Sequence, residues 1–96
     1  MIRLSVSLAE KFMRGEYEND PGKTARQIEE LKNSYPSFET LSEMLSSEPG
    51  SAKEAALYVL YNKSGALPDD IRNKLRQLTS HSNDEIRLWA QANLEE

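Results

Sequence analysis

Residues 51–61 have the sequence SAKEAALYVLY, in which seven apolar or aromatic residues follow one another from Ala55 to Tyr61. A helix with this sequence is apolar on every side, so it must be surrounded by other parts of the fold. Ser51 and Glu54 have the spacing of a capping box, in which two side chains satisfy free backbone N–H groups at a helix start. The segment therefore predicts a central helix that begins at Ser51.

The remaining helices are predicted by apolar residues at helical spacing, bounded by start and stop residues. We expect them at about residues 3–15, from Asp20-Pro21 toward Tyr35, from Ser37 to Pro49-Gly50, from Pro68 through Leu78, and from a second capping box, Ser82-Asn83-Asp84-Glu85, through Leu94. Gly15 is expected to end the first helix in the left-handed conformation, and Gly65 to close the central helix. The chain is thus predicted to be all-α.

The first of these segments has a second interpretation. Ile2, Leu4, Val6 and Leu8 alternate with polar residues, as a half-buried strand would. Leu4, Leu8 and Phe12 also lie on one stripe of a helix. Because no later segment offers a good partner strand, we favour the helix.

The composition indicates one soluble domain over residues 1–96. Twelve Lys and Arg against sixteen Asp and Glu give a net charge of −4, which has the wrong sign for binding a phosphate backbone, so nucleic acid is not an expected partner. The absence of Cys rules out disulfides and fits a reducing, cytoplasmic location. Apolar runs stay well short of the roughly 20 residues that cross a bilayer, so no membrane association is expected.

Residue patterns typical of catalysis are missing from the sequence. The single histidine, His81, lies in a polar turn without a cysteine to complete a metal site or a nucleophile beside it. The four glycines are isolated, which excludes a glycine-rich phosphate loop. We therefore expect a protein that is not an enzyme, with no catalytic residue, no cofactor and no metal ion.

The chain also contains an internal repeat. The two predicted capping boxes lie 31 residues apart, and at that offset Ser51 aligns with Ser82 and Tyr58 with Trp89. The proline-led helices before them repeat at an offset of 32 residues, and a looser copy covers the first two helices. Helix pairs repeated at this length are typical of a solenoid, in which each pair buries its apolar face by stacking on its neighbour.

Residues 66–95 resemble a HEAT repeat. Pro68 leads the first helix, Asp84 lies in the turn, and the pair Ile86-Arg87 opens the second helix. The likeness is weaker over residues 36–65 and barely detectable before them. The resemblance implies a short right-handed α-solenoid of about three antiparallel helix pairs, six helices in all, whose second helices line the concave, partner-facing side.

Small acidic helical proteins of this build resemble bacterial immunity proteins, which occupy a toxin's active site or an exosite. The resemblance implies a non-catalytic module that inhibits or escorts a basic protein partner such as a toxin. Tyr and Trp dominate interface hot spots, and acidic groups can steer a basic partner. The candidate partner-binding residues are Tyr58, Tyr61, Arg87, Trp89, Glu29 and Glu30.

Each candidate residue also has a structural interpretation, which we keep open. The aromatic residues could simply pack in the core, which is the favoured reading for Tyr58, Tyr61 and Trp89. Arg87 could brace an acidic neighbour between repeats, and the acidic residues could serve solubility alone. The alternative function is a structural or assembly subunit that homo-oligomerises through its terminal repeats, with Ile2, Leu4 and Val6 forming an apolar end.

Overall fold

The computed structural model describes residues 2–18, 20–63 and 66–95, with the side chains of residues 2–6 and of Pro21 left out of the description. These residues form six helices and contain no strand: α1 (Ile2–Met13), α2 (Pro21–Asn33), α3 (Phe38–Leu45), α4 (Gly50–Tyr61), α5 (Asp69–Leu78) and α6 (Asp84–Leu94). The predicted all-α fold is confirmed, and the first segment is a helix rather than a strand. The fourth helix ends at Tyr61 with Asn62 as its C-cap, four residues before the expected end at Gly65, which itself lies outside the described residues.

Two helix starts follow the chemistry expected from the sequence. The Asp20 side chain accepts a hydrogen bond from the Lys23 N–H at 3.1 Å, and Pro21 occupies the first turn of α2. The Ser37 hydroxyl accepts from the Thr40 N–H at 3.2 Å at the start of α3. Each side chain satisfies one backbone donor that has no partner within the helix.

Both predicted capping boxes are wrong. Helix α4 begins at Gly50, because Pro49 takes the extended N-cap conformation and no side chain caps the helix. Ser51 therefore lies inside the first turn, where a capping hydroxyl cannot act. At α6 the cap is Asn83, whose Oδ1 accepts from the N–H groups of Glu85 at 2.9 Å and of the next residue at 3.2 Å, and Ser82 remains exposed outside the helix.

Helices α1, α2 and α3 end before the stop residues that were expected to end them, and α3 ends at Leu45 rather than at Pro49-Gly50. Gly15 has a φ of +77°, the left-handed conformation expected of it, two residues after the last helical residue of α1. Helix α2 ends at Asn33, and Tyr35 has a φ of +53° although it is not a glycine. A left-handed residue directly before Pro36 cannot continue the helix, which explains this end.

Helix α4 lies at the centre of the packing, as its sequence predicts. It contacts α1, α2, α3 and α6. Its buried side chains cover most of its circumference: Ser51, Ala52, Ala55, Ala56, Leu57, Val59 and Leu60. Small alanines in the first two turns let neighbouring helices approach closely, while the larger residues in the last turns fill the core.

The other contacts follow a simple order in the described part of the chain. Helix α3 contacts α1 and α5, and α4 contacts α2 and α6. The consecutive pairs α1 and α2, α3 and α4, and α5 and α6 also contact each other, and α1 reaches α4. The Cα atoms extend over 28 × 27 × 17 Å, so the molecule is thinner in one direction than in the other two.

Two polar links, one partly buried and one buried, tie neighbouring helices together. Between α3 and α5, the Ser42 hydroxyl donates to Asp70 Oδ2 at 2.6 Å, and Lys74 Nζ donates to Ser42 Oγ at 2.6 Å. Between α4 and α6, the buried Asn93 Nδ2 donates to the Leu57 carbonyl at 3.2 Å and to a carbonyl of its own helix. Links of this kind fix the register of packed helices, because a shifted register would leave a buried polar group without a partner.

Candidate protein-binding groove

Helices α2, α4 and α6 together form a groove on one face of the molecule. A cavity of about 340 Å³ lies in it, with aromatic, aliphatic and acidic side chains around it. We call it the aromatic groove and define it by the residues Ala25, Ile28, Glu29, Glu54, Tyr58, Glu85 and Trp89. Each of the three helices contributes a glutamate, so the apolar floor has an acidic border.

Aromatic rings pack together in the groove and at its edge, where Tyr61 adjoins Trp89. The ring centroids of Tyr58 and Trp89 lie 5.9 Å apart with an angle of 66° between the ring planes, and those of Tyr61 and Trp89 lie 5.4 Å apart at 83°. Tyr58 and Tyr61 are three residues apart, so both emerge on one side of α4. Edge-to-face packing of this kind is favourable, and the link from Asn93 to α4 keeps Trp89 opposite the two tyrosines.

Glu29 is already bound to its neighbours. The Tyr58 hydroxyl donates to its Oε1 at 2.9 Å, and Lys32 Nζ lies 3.2 Å from its Oε2. The hydrogen bond from Tyr58, followed by that from Lys32, lowers the pKa of Glu29 below its ordinary value. The same hydrogen bond raises the pKa of Tyr58. Glu29 therefore fixes the Tyr58 ring in the groove and is charged at neutral pH.

Glu54 and Glu85 face each other across α4 and α6 without such compensation. Burial raises the pKa of Glu54, and the charge of the neighbouring Glu85 raises it further. Among the described residues, no Lys or Arg forms an ion pair with either glutamate. Both glutamates were expected in capping boxes, and their position at the groove was not predicted from the sequence.

An apolar surface continues from Trp89 along α6. A shallow cavity of about 270 Å³ there is lined by Tyr61, Leu88, Trp89 and Ala92, which we call the apolar shelf. Leu88 is 63% exposed and Tyr61 48% exposed, and both belong to one continuous apolar patch on the surface. The repeat alignment gave no sign of an exposed Leu88. The exposure of Leu88 could have been predicted from its position two residues from both Ile86 and Ala90, which places it off the buried face of α6.

The other candidate residues lie away from the groove. Arg87 Nη1 donates to the His81 carbonyl at 3.1 Å, and its Nη2 pairs with Asp84. This arrangement braces the start of α6, and the acidic neighbour belongs to the same helix rather than to another repeat. Glu30 is exposed on α2 and lines neither the aromatic groove nor the apolar shelf.

His81 also has a local structural contact, since its Nδ1 accepts from the Asn83 N–H at 3.0 Å. Within the described residues, no cluster of three or more His, Asp and Glu side chains is arranged to hold a metal ion. None of the described helices is long and apolar enough to cross a membrane.

No protein-family model, curated protein or solved structure matches the chain. The groove and its chemistry are therefore the basis for a functional proposal.

Proposed function

We propose that the chain is a non-catalytic protein-interaction module whose aromatic groove and apolar shelf bind a basic protein partner. The observation that carries this proposal is the joined surface on which Tyr58, Tyr61 and Trp89 pack together beside Glu54 and Glu85. Partly exposed Tyr and Trp side chains beside an apolar leucine are typical of interface hot spots. Acidic groups at the border would attract positive charge and orient the partner.

The proposal includes a HEAT-like α-solenoid of three antiparallel helix pairs. Its support is the order of the helix contacts, in which α1, α3 and α5 are neighbours in turn and α2, α4 and α6 are neighbours in turn. Stacked helix pairs produce this order, because each pair contacts only the pairs next to it. The aromatic groove then lies on the second helices, which line the partner-facing side in the family that the sequence resembles.

The partner that fits this surface best is a basic protein, in keeping with an immunity-type inhibitor that acts on a toxin in the bacterial cytoplasm. The net charge of −4 would speed association with a positively charged surface. A protein with that role needs no chemistry of its own, since covering the partner's functional surface is sufficient.

The experiment is site-specific photo-crosslinking in lysate of the cell of origin. A photoreactive phenylalanine analogue replaces Leu88 on the apolar shelf, and in a matched control it replaces Gln77, which is exposed on α5. We expect a single crosslinked product with a basic protein from the Leu88 position, weakened by high salt, and none from Gln77. Equal products from both positions, or an acidic partner at Leu88, would contradict the proposal.

A second function is favoured by Leu88 alone. Because this 63% exposed leucine lies on the last helix, the apolar shelf could instead join copies of the chain into an oligomer. The apolar end suggested for Ile2, Leu4 and Val6 lies outside the described side chains. Sedimentation equilibrium of the wild type and of Leu88→Ser distinguishes the two functions: an oligomer that Leu88→Ser dissociates favours assembly, and a concentrated monomeric wild type removes that alternative.

A further inference from the structure

We infer that the aromatic groove holds one arginine side chain of the partner, with its guanidinium group between Glu54 and Glu85 and its flat face against Trp89. This inference rests on the proposed function and names the chemistry that the groove recognises. It commits the partner to an arginine that projects from its surface, rather than to a general excess of positive charge.

The shape of the groove fits a long side chain with a charged end. The cavity of about 340 Å³ has Ala25 and Ile28 on the α2 side, where they can contact the methylene groups of the ligand. Trp89 offers an aromatic ring, and tryptophan is the best aromatic partner for a cation. Arginine suits this site better than lysine, because its planar group stacks on rings and bonds carboxylates through two N–H groups.

The charges in the groove favour the same ligand. Glu29 is paired with Lys32 and accepts a hydrogen bond from Tyr58, whereas Glu54 and Glu85 form no ion pair among the described residues. Their mutual repulsion is a cost that the free protein carries, which agrees with the raised pKa of Glu54. A cation between the two carboxylates replaces that repulsion with attraction, so the groove is set up for a positive charge before the partner arrives.

The test uses N-acetyl-arginine amide as the probe and the indole N–H signal of Trp89 as the reporter. Trp89 is the only tryptophan, so its NMR signal is unambiguous. We expect the signal to shift with saturable, weak binding of the arginine amide. N-acetyl-citrulline amide, which has nearly the same shape without the charge, should give no saturable shift.

Matched variants assign the effect to the two carboxylates. Glu54→Gln and Glu85→Gln should each weaken binding of the arginine amide about threefold, as expected for loss of one charge from a site in which Glu54 is half-buried and Glu85 exposed. Glu39→Gln, which removes an exposed glutamate on α3, should leave it unchanged. Equal shifts from the arginine and citrulline amides would overturn the inference, and so would unaltered binding in both groove variants. The comparison of the two amides uses the wild type, so it does not depend on how well the variants fold.

Calcium chloride is the remaining probe. A saturable shift with Ca²⁺ that depends on Glu54 and Glu85, without one for the arginine amide, would make this a metal site and overturn the inference. Failure of the inference is separable from failure of the proposed function. If the arginine amide does not bind but the crosslink from position 88 still forms, the chain is an interaction module that does not recognise arginine. If no crosslink forms from position 88 in the otherwise unchanged chain, the proposed function itself is wrong.

Discussion

Ser51 places a hydroxyl group in the protein interior without a hydrogen bond. The residue is 5% exposed. Among the described residues, its Oγ is the one buried side-chain oxygen without a hydrogen-bond partner. Removing such a group recovers its desolvation cost, and alanine is also the better helix former. We therefore predict that Ser51→Ala raises the free energy of unfolding by about 1 kcal/mol, measured as a higher urea midpoint at unchanged m-value.

The control for this substitution is Ser7→Ala in α1, where the side chain is exposed and the backbone is also helical. It reports the gain in helix propensity alone, about 0.5 kcal/mol or less. A Ser51→Ala protein that is no more stable than Ser7→Ala would show that the Ser51 hydroxyl has a partner in solution.

At the scale of a helix, the start of α6 depends on one side chain. Asn83 Oδ1 accepts two backbone hydrogen bonds, while the neighbouring Ser82 lies exposed before the helix. We predict that Asn83→Ala lowers the free energy of unfolding by about 1 kcal/mol, the usual cost of losing an N-cap. Ser82→Ala should change it by about 0.5 kcal/mol or less. Chemical denaturation of the two variants side by side measures the difference, and a larger loss from Ser82→Ala would restore the capping box expected from the sequence.

The same helix start shows what sequence patterns can and cannot predict. The existence of all six helices followed from apolar spacing, because the buried face of a helix recurs at its own period. Their starts were harder to predict, since Ser82, Asn83 and Asp84 are all good caps and only the packing of α6 selects one. Glu54 and Glu85 were interpreted as capping residues for this reason, although they border the groove.

The contact between α4 and α6 also predicts a dependence of stability on pH. Because the pKa of Glu54 is raised above its ordinary value of 4.5, the folded chain holds this proton more tightly than the unfolded chain does. The free energy of unfolding therefore falls as the pH rises from 4.5 through the raised pKa. We predict that Glu54→Gln stabilises the free protein at neutral pH, and that this gain disappears below pH 4.5.

Urea denaturation across this pH range, for the wild type and for Glu54→Gln, measures the effect. Glu39→Gln serves as the control, since this glutamate is exposed on α3. A Glu54→Gln protein that is less stable than the wild type at neutral pH would mean that Glu54 has a cationic partner in solution, contrary to the arrangement in the groove.

Across the whole molecule, the aromatic half of the site could be predicted and the acidic half could not. Tyr58, Tyr61 and Trp89 stand out in any sequence of this composition, and all three lie together. The approach of Glu54 to Glu85, and the hydrogen bond from Tyr58 to Glu29 across 29 residues, depend on how α2, α4 and α6 pack. A pattern within one helix carries no information about the rotation of its neighbour.

The same packing predicts that stability is unevenly distributed along the chain. Over the ranges that the structure describes, helix α4 contacts four other helices, whereas α2 contacts only α1 and α4. Among the described side chains of α2, only that of Leu31 is fully buried. Helices with few buried contacts open locally, while a central helix exchanges its amide hydrogens only when the whole protein unfolds. We therefore predict that amides of Ala55–Leu60 exchange most slowly and that those of α2 exchange much faster.

Native-state hydrogen exchange with low concentrations of urea measures this difference. Amides of α4 should show the full dependence on urea that global unfolding shows, and amides of α2 little of it. Helix α6 provides the internal comparison, since Asn93 ties it to α4. Equal protection of α2 and α4 would mean that the helices unfold as one unit. In that case α2 would not open separately, and the hydrogen bond between Glu29 and Tyr58 would persist as long as the protein is folded.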